Sequence, residues 1–144
     1  MALPLFKSHS VLVLNGDSFC QVNLSEVWQW HCARRARVTL VLTEVPDAGR
    51  FGRVQIGPEG LIREFTEKDE VAALGWINAG IYFIHRLLLR KIPAWGAVSL
   101  EREMLPAWKQ WGIHGYCVRS RFLDMGIPEA YRTAEHFFAG GRSV

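Results

Sequence analysis

Two aspartates, one Glu-Lys pair and one asparagine carry most of the chemistry open to this sequence. Asp17 follows the apolar run Val11-Leu12-Val13-Leu14 and the turn pair Asn15-Gly16, and Asp124 follows Phe122-Leu123 with Gly126 close behind. Both therefore leave the ends of strands, where open α/β sheets bind their ligands. Two carboxylates meeting above a sheet can hold a divalent metal. Magnesium suits such a pair, because it takes few protein carboxylates and completes its octahedron with waters and substrate phosphates. Bridging and neutralising phosphate oxygens supports an in-line displacement. Glu67-Lys68 sets an acceptor for sugar hydroxyls beside a point charge for a phosphate. Asn78 both donates and accepts, which suits a vicinal diol. Each also has an ordinary reading: Asp17 as a capping loop residue, Glu67-Lys68 as a solvated turn, Asn78 as a strand-edge hydrogen bond.

The bounds set by composition are simple. At 144 residues the chain is one domain with room for a real core, and 49% hydrophobic with 22% charged residues is ordinary for a globular protein. The net charge of +3 is scattered apart from Arg34-Arg35-Ala36-Arg37, which reads as a helix C-terminus. No broad basic stripe with interleaved aromatics occurs, so nucleic acid is not an expected partner. No apolar run reaches the roughly 18 residues of a membrane helix, and no signal peptide is evident, so no membrane partner is expected. Cys20, Cys32 and Cys117 lack metal-ligand spacing and read as reduced, cytoplasmic thiols. The five histidines are dispersed and read as structural or surface residues.

The elements that must position these groups can be taken in order. Val11–Leu14 reads as a strand buried on both faces. Asn23 caps a helix with Glu26 at its N3 position, and Leu24, Val27, Trp28, His31 and Cys32 form its apolar face. Val38–Leu42 is a second buried strand, which makes a βαβ unit with parallel strands. Phe51–Ile56 and Leu61–Phe65 alternate in polarity around Gly57-Pro58-Glu59-Gly60 and form an antiparallel hairpin. Ile77–Ile84 is a long strand containing Asn78 and Gly80. Ser99 caps a helix with Glu101 and Glu103 in its first turn, which Pro106 splits and Gly112 ends. Ile113–Val118 is a further strand, and Pro128 opens a closing helix with Ala130, Tyr131, Ala134 and Phe137 on its inner face.

In this order the motifs resemble those of the sugar-1-phosphate nucleotidyltransferases. The matching residues are Leu14-Asn15-Gly16-Asp17, Phe51-Gly52, Phe65-Thr66-Glu67-Lys68, Asn78-Ala79-Gly80-Ile81-Tyr82, Ser99-Leu100-Glu101-Arg102-Glu103 and Leu123-Asp124-Met125-Gly126-Ile127-Pro128-Glu129. They span the chain from Val11 to about Phe138, and the Ser-Leu-Glu-Arg-Glu stretch is most similar to the mannose- or heptose-1-phosphate branch. The resemblance implies an α/β, partial Rossmann-like nucleotidyltransferase fold: a mixed, mostly parallel sheet, helices on both faces and a small β-hairpin. It implies metal ligation of Mg2+ by Asp17 and Asp124. It also implies substrate contacts from Gly52, Glu67, Lys68 and Asn78, with a sugar phosphate or nucleotide sugar as the ligand. Ile127 and Phe51 depart from the family's usual threonine and tyrosine.

The family's glycine-rich loop, whose backbone amides hold the nucleotide phosphates, and a further phosphate-binding lysine have no counterpart in these residues. The expectation is therefore a single domain over residues 1–144 corresponding to the C-terminal part of a nucleotidyltransferase-like domain, N-terminally truncated. No catalytic residue is assigned. Such a chain is expected to be inactive alone, to turn over only with a partner supplying the missing half, and to form a homodimer or larger homo-oligomer through the Val11 edge. The alternative is a non-catalytic homo-oligomeric interaction or regulatory module that retains the fold only. A dinucleotide dehydrogenase is disfavoured, since no Gly-x-Gly-x-x-Gly follows the first strand.

Overall fold

The computed structural model describes residues 7–69, 72–126 and 128–139. In chain order the elements are β1 (Ser10–Leu14), β2 (Ser18–Cys20), α1 (Leu24–Ala33), β3 (Val38–Val45), β4 (Arg53–Ile56), β5 (Ile62–Thr66) and β6 (Gly75–His85). There follow α2 (Arg86–Leu89), α3 (Leu105–Trp108), β7 (Ile113–Val118), β8 (Phe122–Asp124) and α4 (Pro128–Ala139). The central sheet has the order β1-β6-β3-β7, with β2-β8 and β4-β5 as two-stranded ribbons. Strands β1, β3 and β7 share one direction and β6 opposes them, so β3 pairs in parallel with β7 and antiparallel with β6. The expected β1-α1-β3 crossover thus joins strands of the same sense, with β6 inserted between them. The mixed α/β class is as expected.

Burial follows the period-two alternation of the strands. Val38, Leu40 and Leu42 join Tyr82 and Ile84 under Leu105 and Trp108 on one face. Val41 joins Ala79, Ile81 and Phe83 against Val27 of α1 on the other. Covered on both faces and flanked on both sides, β3 is buried from Val38 to Thr43.

The reading of β1 as buried on both faces is corrected. Among the described residues it is an edge strand paired only with β6, and while Val11 is buried, Leu12 and Leu14 are 38% and 54% exposed. An apolar run marks a strand, but one neighbour is too few to close both of its faces.

Helix α1 starts as its sequence dictates. The Asn23 side-chain oxygen accepts from the N–H groups of Ser25 (3.0 Å) and Glu26 (3.4 Å), while the Asn23 side-chain Nδ2 donates to Glu26 Oε1 at 2.9 Å. Of the expected apolar face only Val27 and His31 are buried, and Trp28 lies over His31 at the surface, 5.6 Å between ring centroids. The basic cluster does end this helix: Arg34 stacks on Trp30 at 3.9 Å, and Arg35 adopts φ +48°.

The β4–β5 hairpin forms as expected. Ser99 opens a wide turn over residues 100–104, in which the Leu105 N–H reaches the Leu100 carbonyl, and α3 continues from it. Helix α4 begins at Pro128, but Tyr131 is 71% exposed rather than inward; Phe137 and Phe138 instead meet Phe19 edge-on. Ile127 and the Ala130 side chain lie outside the described residues. Among the described residues no helix is long and apolar enough to cross a membrane. Cys20, Cys32 and Cys117 are free thiols.

Candidate functional site

The site is built where β6 departs from regularity. Against β3, Leu40 faces Tyr82 and Leu42 faces Asn78, so two steps on β3 match four on β6. The surplus is a bulge centred on Gly80, whose φ is +75°. It presses against the loop leaving β1: a Cβ on Gly80 would lie 2.6 Å from Ser18 Oγ and 2.9 Å from Asn15 Cβ. The Asn15 N–H donates to the Gly80 carbonyl at 2.8 Å, and the Gly80 N–H donates to Asn78 Oδ1 at 3.1 Å.

The bulge delivers Asn78 to Glu101. One Glu101 oxygen accepts from Asn15 Nδ2 (3.3 Å), Asn78 Nδ2 (3.1 Å) and the Tyr82 hydroxyl (2.5 Å). Asn78 Nδ2 also donates to the Tyr82 oxygen at 2.8 Å. Burial first, and then the Glu101 carboxylate, hold the Tyr82 phenol far above its ordinary range, so it remains a proton donor. The Asn78 amide is thereby engaged on both sides. What it offers a ligand is spare acceptor capacity on Oδ1, which among the described residues accepts from the Gly80 N–H alone.

A cleft of about 440 Å³ opens next to this cluster. Gly52, Glu67, Lys68 and Asn78 all line it, together with Glu101 and Arg102. Four residues singled out in three separate stretches of sequence therefore share one concavity. Glycine at position 52 permits close packing on the neighbouring strand end, since a Cβ there would stand 2.8 Å from the Thr66 carbonyl oxygen. An Arg53–Asp69 ion pair of 3.0 Å closes the adjoining rim.

Asp17 and Asp124 meet beside Gly126. The β2–β8 ladder sets Ser18 opposite Asp124, and the Met125 N–H donates to the Asp17 carbonyl at 2.7 Å. The Gly126 N–H donates to Asp124 Oδ1 at 3.0 Å. A Cβ on Gly126 would stand 3.1 Å from Asp124 Oδ1 and 3.4 Å from Asp17 Oδ2, so these oxygens are separated by at most about 6.5 Å. The donors are hard carboxylate oxygens, and the missing side chain leaves space between them. Among the described residues no group of three or more His, Cys, Asp and Glu gathers anywhere. A pair of carboxylates with open space fits magnesium, which keeps waters and substrate oxygens in its shell.

In the sequence Glu101 stands on a par with Glu103, as a first-turn acid within the Ser99-Leu100-Glu101-Arg102-Glu103 stretch and with no role of its own. The structure separates them. Glu103 completes the cap, accepting from the Ser99 N–H at 2.8 Å while Ser99 Oγ accepts from the Arg102 N–H at 3.1 Å. The cap thus needs one acid and the sequence supplies two. That surplus was the available signal.

The family model described as "Nucleotidyl transferase" matches residues 2–140. A mannose-1-phosphate guanylyltransferase of Mycobacterium tuberculosis is 37% identical over 128 residues, covering 87% of this chain and 36% of that protein. A mannose-1-phosphate guanyltransferase of Schizosaccharomyces pombe is 33% identical over 135 residues, covering 90% of this chain and 36% of that one. Among solved structures, HddC from Yersinia pseudotuberculosis superposes with a TM-score of 0.80 at 25% identity, over 95% of this chain and 59% of HddC. The chain therefore spans little more than a third of the length of these sequence relatives.

Proposed function

The chain belongs to the nucleotidyl transferase family, and on that premise we propose that these 144 residues form the sugar-phosphate and metal-binding side of a sugar-1-phosphate nucleotidyltransferase site. The ligand is a sugar phosphate or nucleotide sugar, bound with Mg2+. The observation that supports this most is the convergence of Asp17 and Asp124, from opposite ends of the chain, beside Gly126. In this reading the two carboxylates hold the ion, which when bound neutralises phosphate oxygens. Lys68 adds a fixed positive charge for the sugar phosphate, Glu67 accepts from sugar hydroxyls, and the Gly52 backbone lines the sugar's path. Glu101 holds the Asn78 amide in place through the shared oxygen described above. The free thiols fit a reducing, cytoplasmic setting.

The transfer itself needs preorganised donors around the nucleotide phosphates, and no glycine-rich loop of that kind occurs in this sequence. Removing even one such donor typically lowers rate by about 10²–10³. These residues alone are therefore expected to bind without transferring, and to turn over only with a chain that supplies the other half. The test is calorimetric titration with GDP-mannose, with and without Mg2+, beside a pyrophosphate-release assay with mannose 1-phosphate and GTP. Magnesium-dependent binding that disappears in Asp124→Asn and weakens in Lys68→Ala is the expected result. Binding indifferent to Mg2+ and to both substitutions would overturn the assignment.

A second reading has its own observation. The exposed Leu12 and Leu14 on edge strand β1 favour self-association, as in a non-catalytic homo-oligomeric module that keeps only the fold. A dimer burying more than about 1,000 Å² is expected through this edge. Light scattering at micromolar concentration tests the association, a mass near the chain's own 16.4 kDa ruling it out, and a dimer that binds no nucleotide sugar is what separates this module from the first reading.

A further inference from the structure

The end of the sheet opposite the candidate site carries a second pocket, of about 450 Å³, lined by Arg37, His85, Leu87, Leu88, Lys91 and Trp111. The register explains why cations collect here. Ser10 pairs with His85, and Val38 with both Ile84 and Ile113, so the residues just outside β1, β3, β6 and β7 meet along one rim. Backbone bonds fasten it: the His85 N–H donates to the Arg37 carbonyl and the Arg86 N–H to the His9 carbonyl, both at 2.8 Å.

Apart from the Pro58–Gly60 turn, which carries Glu59 and whose neighbour Leu61 bridges to His114, the described segments that reach this rim contain no acid. Residues 7–16, 27–43, 72–100 and 104–123 hold neither Asp nor Glu. The field is felt by His85, which is held below the usual histidine range by burial and then by His9, Arg37 and Arg86. Glu59 acts on His114 at this end but does not line the pocket. Among the described residues, neither the Arg37 guanidinium nor the Lys91 ammonium has a carboxylate partner; Lys91 lies 5.0 Å over the Trp111 ring. Unpaired like charges around a concavity repel one another, and a polyanion relieves that repulsion. The floor, Leu88 and Trp111, is apolar.

We infer that this pocket binds a small polyphosphorylated ligand, its phosphates on the Arg37 and Lys91 cations, with the His85 ring, whose Nδ1 accepts from the Leu87 N–H, offering its Nε2–H, and its apolar remainder on Leu88 and Trp111. This site is separate from the cleft beside Glu101 and does not depend on the function proposed for that cleft.

The experiment titrates the chain with tripolyphosphate and with ATP in EDTA, which removes any contribution from bound metal. Saturable binding of both is expected, tighter for ATP. The double variant Arg37→Glu/Lys91→Glu, whose side chains are exposed, should weaken it by about tenfold or more. Should that variant not fold, as judged by circular dichroism, Arg37→Gln/Lys91→Gln takes its place with the same direction expected. Lys68→Ala, in the other cleft, should change it less than twofold. The inference is overturned if tripolyphosphate fails to saturate, or if Lys68→Ala rather than the double variant abolishes binding. Binding to phosphatidylserine vesicles without binding to either soluble probe also overturns it, as does ATP binding no tighter than tripolyphosphate.

Discussion

Replacing Gly80 with alanine tests whether the β6 bulge is held by backbone conformation and close packing together. At φ +75° an L-residue carries strain of about 1–2 kcal/mol. The new methyl would also lie 2.6 Å from Ser18 Oγ and 2.9 Å from Asn15 Cβ and Nδ2. The Ser18 hydroxyl can rotate away, but Asn15 is tied through its N–H to the Gly80 carbonyl, so the loop itself must shift. Such overpacking costs about 1–3 kcal/mol. Alanine restricts the unfolded chain and returns about 0.4–1 kcal/mol. The net expectation is a loss of about 2–4 kcal/mol, or about 4–16 °C in Tm for a chain of this size. Two controls separate the causes. Gly96→Ala has the positive φ of 90° but open space around it, and should lose about 1 kcal/mol. Gly16→Ala has neither feature and should stay within about 0.5 kcal/mol of the parent. Urea denaturation of all four proteins gives the series. Equal stabilities for Gly80→Ala and Gly16→Ala would refute the reasoning, and so would Gly96→Ala being the worst of the three.

Three further outcomes are expected. Arg35 takes a left-handed conformation just after α1, where glycine is usual, so Arg35→Gly should leave stability unchanged or raise it by up to about 1 kcal/mol in urea denaturation; a clear loss would contradict this. His31 is held below its ordinary range by burial and then by His85 and His114. The unfolded chain therefore takes up that proton more readily, so stability is full above about pH 6.5 and declines as pH falls from there toward the folded-state value; denaturation midpoints between pH 8 and 5 check the sign. Trp108 is fully buried with its indole N–H unpartnered, so Trp108→Phe should destabilise far less than Trp108→Ala, which should lose about 3–5 kcal/mol.

Much of this fold is written locally. The β7 strand, the Asn23 cap, the Ser99 cap and the β4–β5 hairpin each follow from residues within a few positions of one another. The neighbours of a strand are not local information. Nothing in Val11–Leu14 says that, among the described residues, β6 pairs with it on one side and no strand on the other, which is why the apolar run alone places Leu12 and Leu14 inside. The same holds at the site. Asp17, Glu67, Lys68 and Asp124 stand out in the sequence because each lies at or just beyond an element's end, where polar residues are conspicuous, whereas Asn78 stands out as a polar residue inside the long strand β6. Glu101 is hidden, because an acid after a serine cap has a sufficient local explanation, and its three donors come from the loop leaving β1 and from β6, far away in sequence. Tyr131 misled for the opposite reason: helical spacing names a face, but not whether anything lies opposite it.

The bulge also has an arithmetic side. Four residues along a regular strand span about 13 Å, too far for the Asn78 amide to touch the Tyr82 hydroxyl. Here the two residues face Leu42 and Leu40, two steps apart, because the excess is looped out. That excess is two residues, an even number, so inward and outward positions keep their parity on either side of it. Losing a single residue from Ala79–Ile81 would turn every side chain from Gly75 to Asn78 to the opposite face. Losing two would keep the faces and straighten the strand, taking Ala79 or Ile81 out of the core while releasing Asn15 and Glu101 from each other. Sequence length in this stretch is therefore quantised: the core counts modulo two, and the site counts every residue.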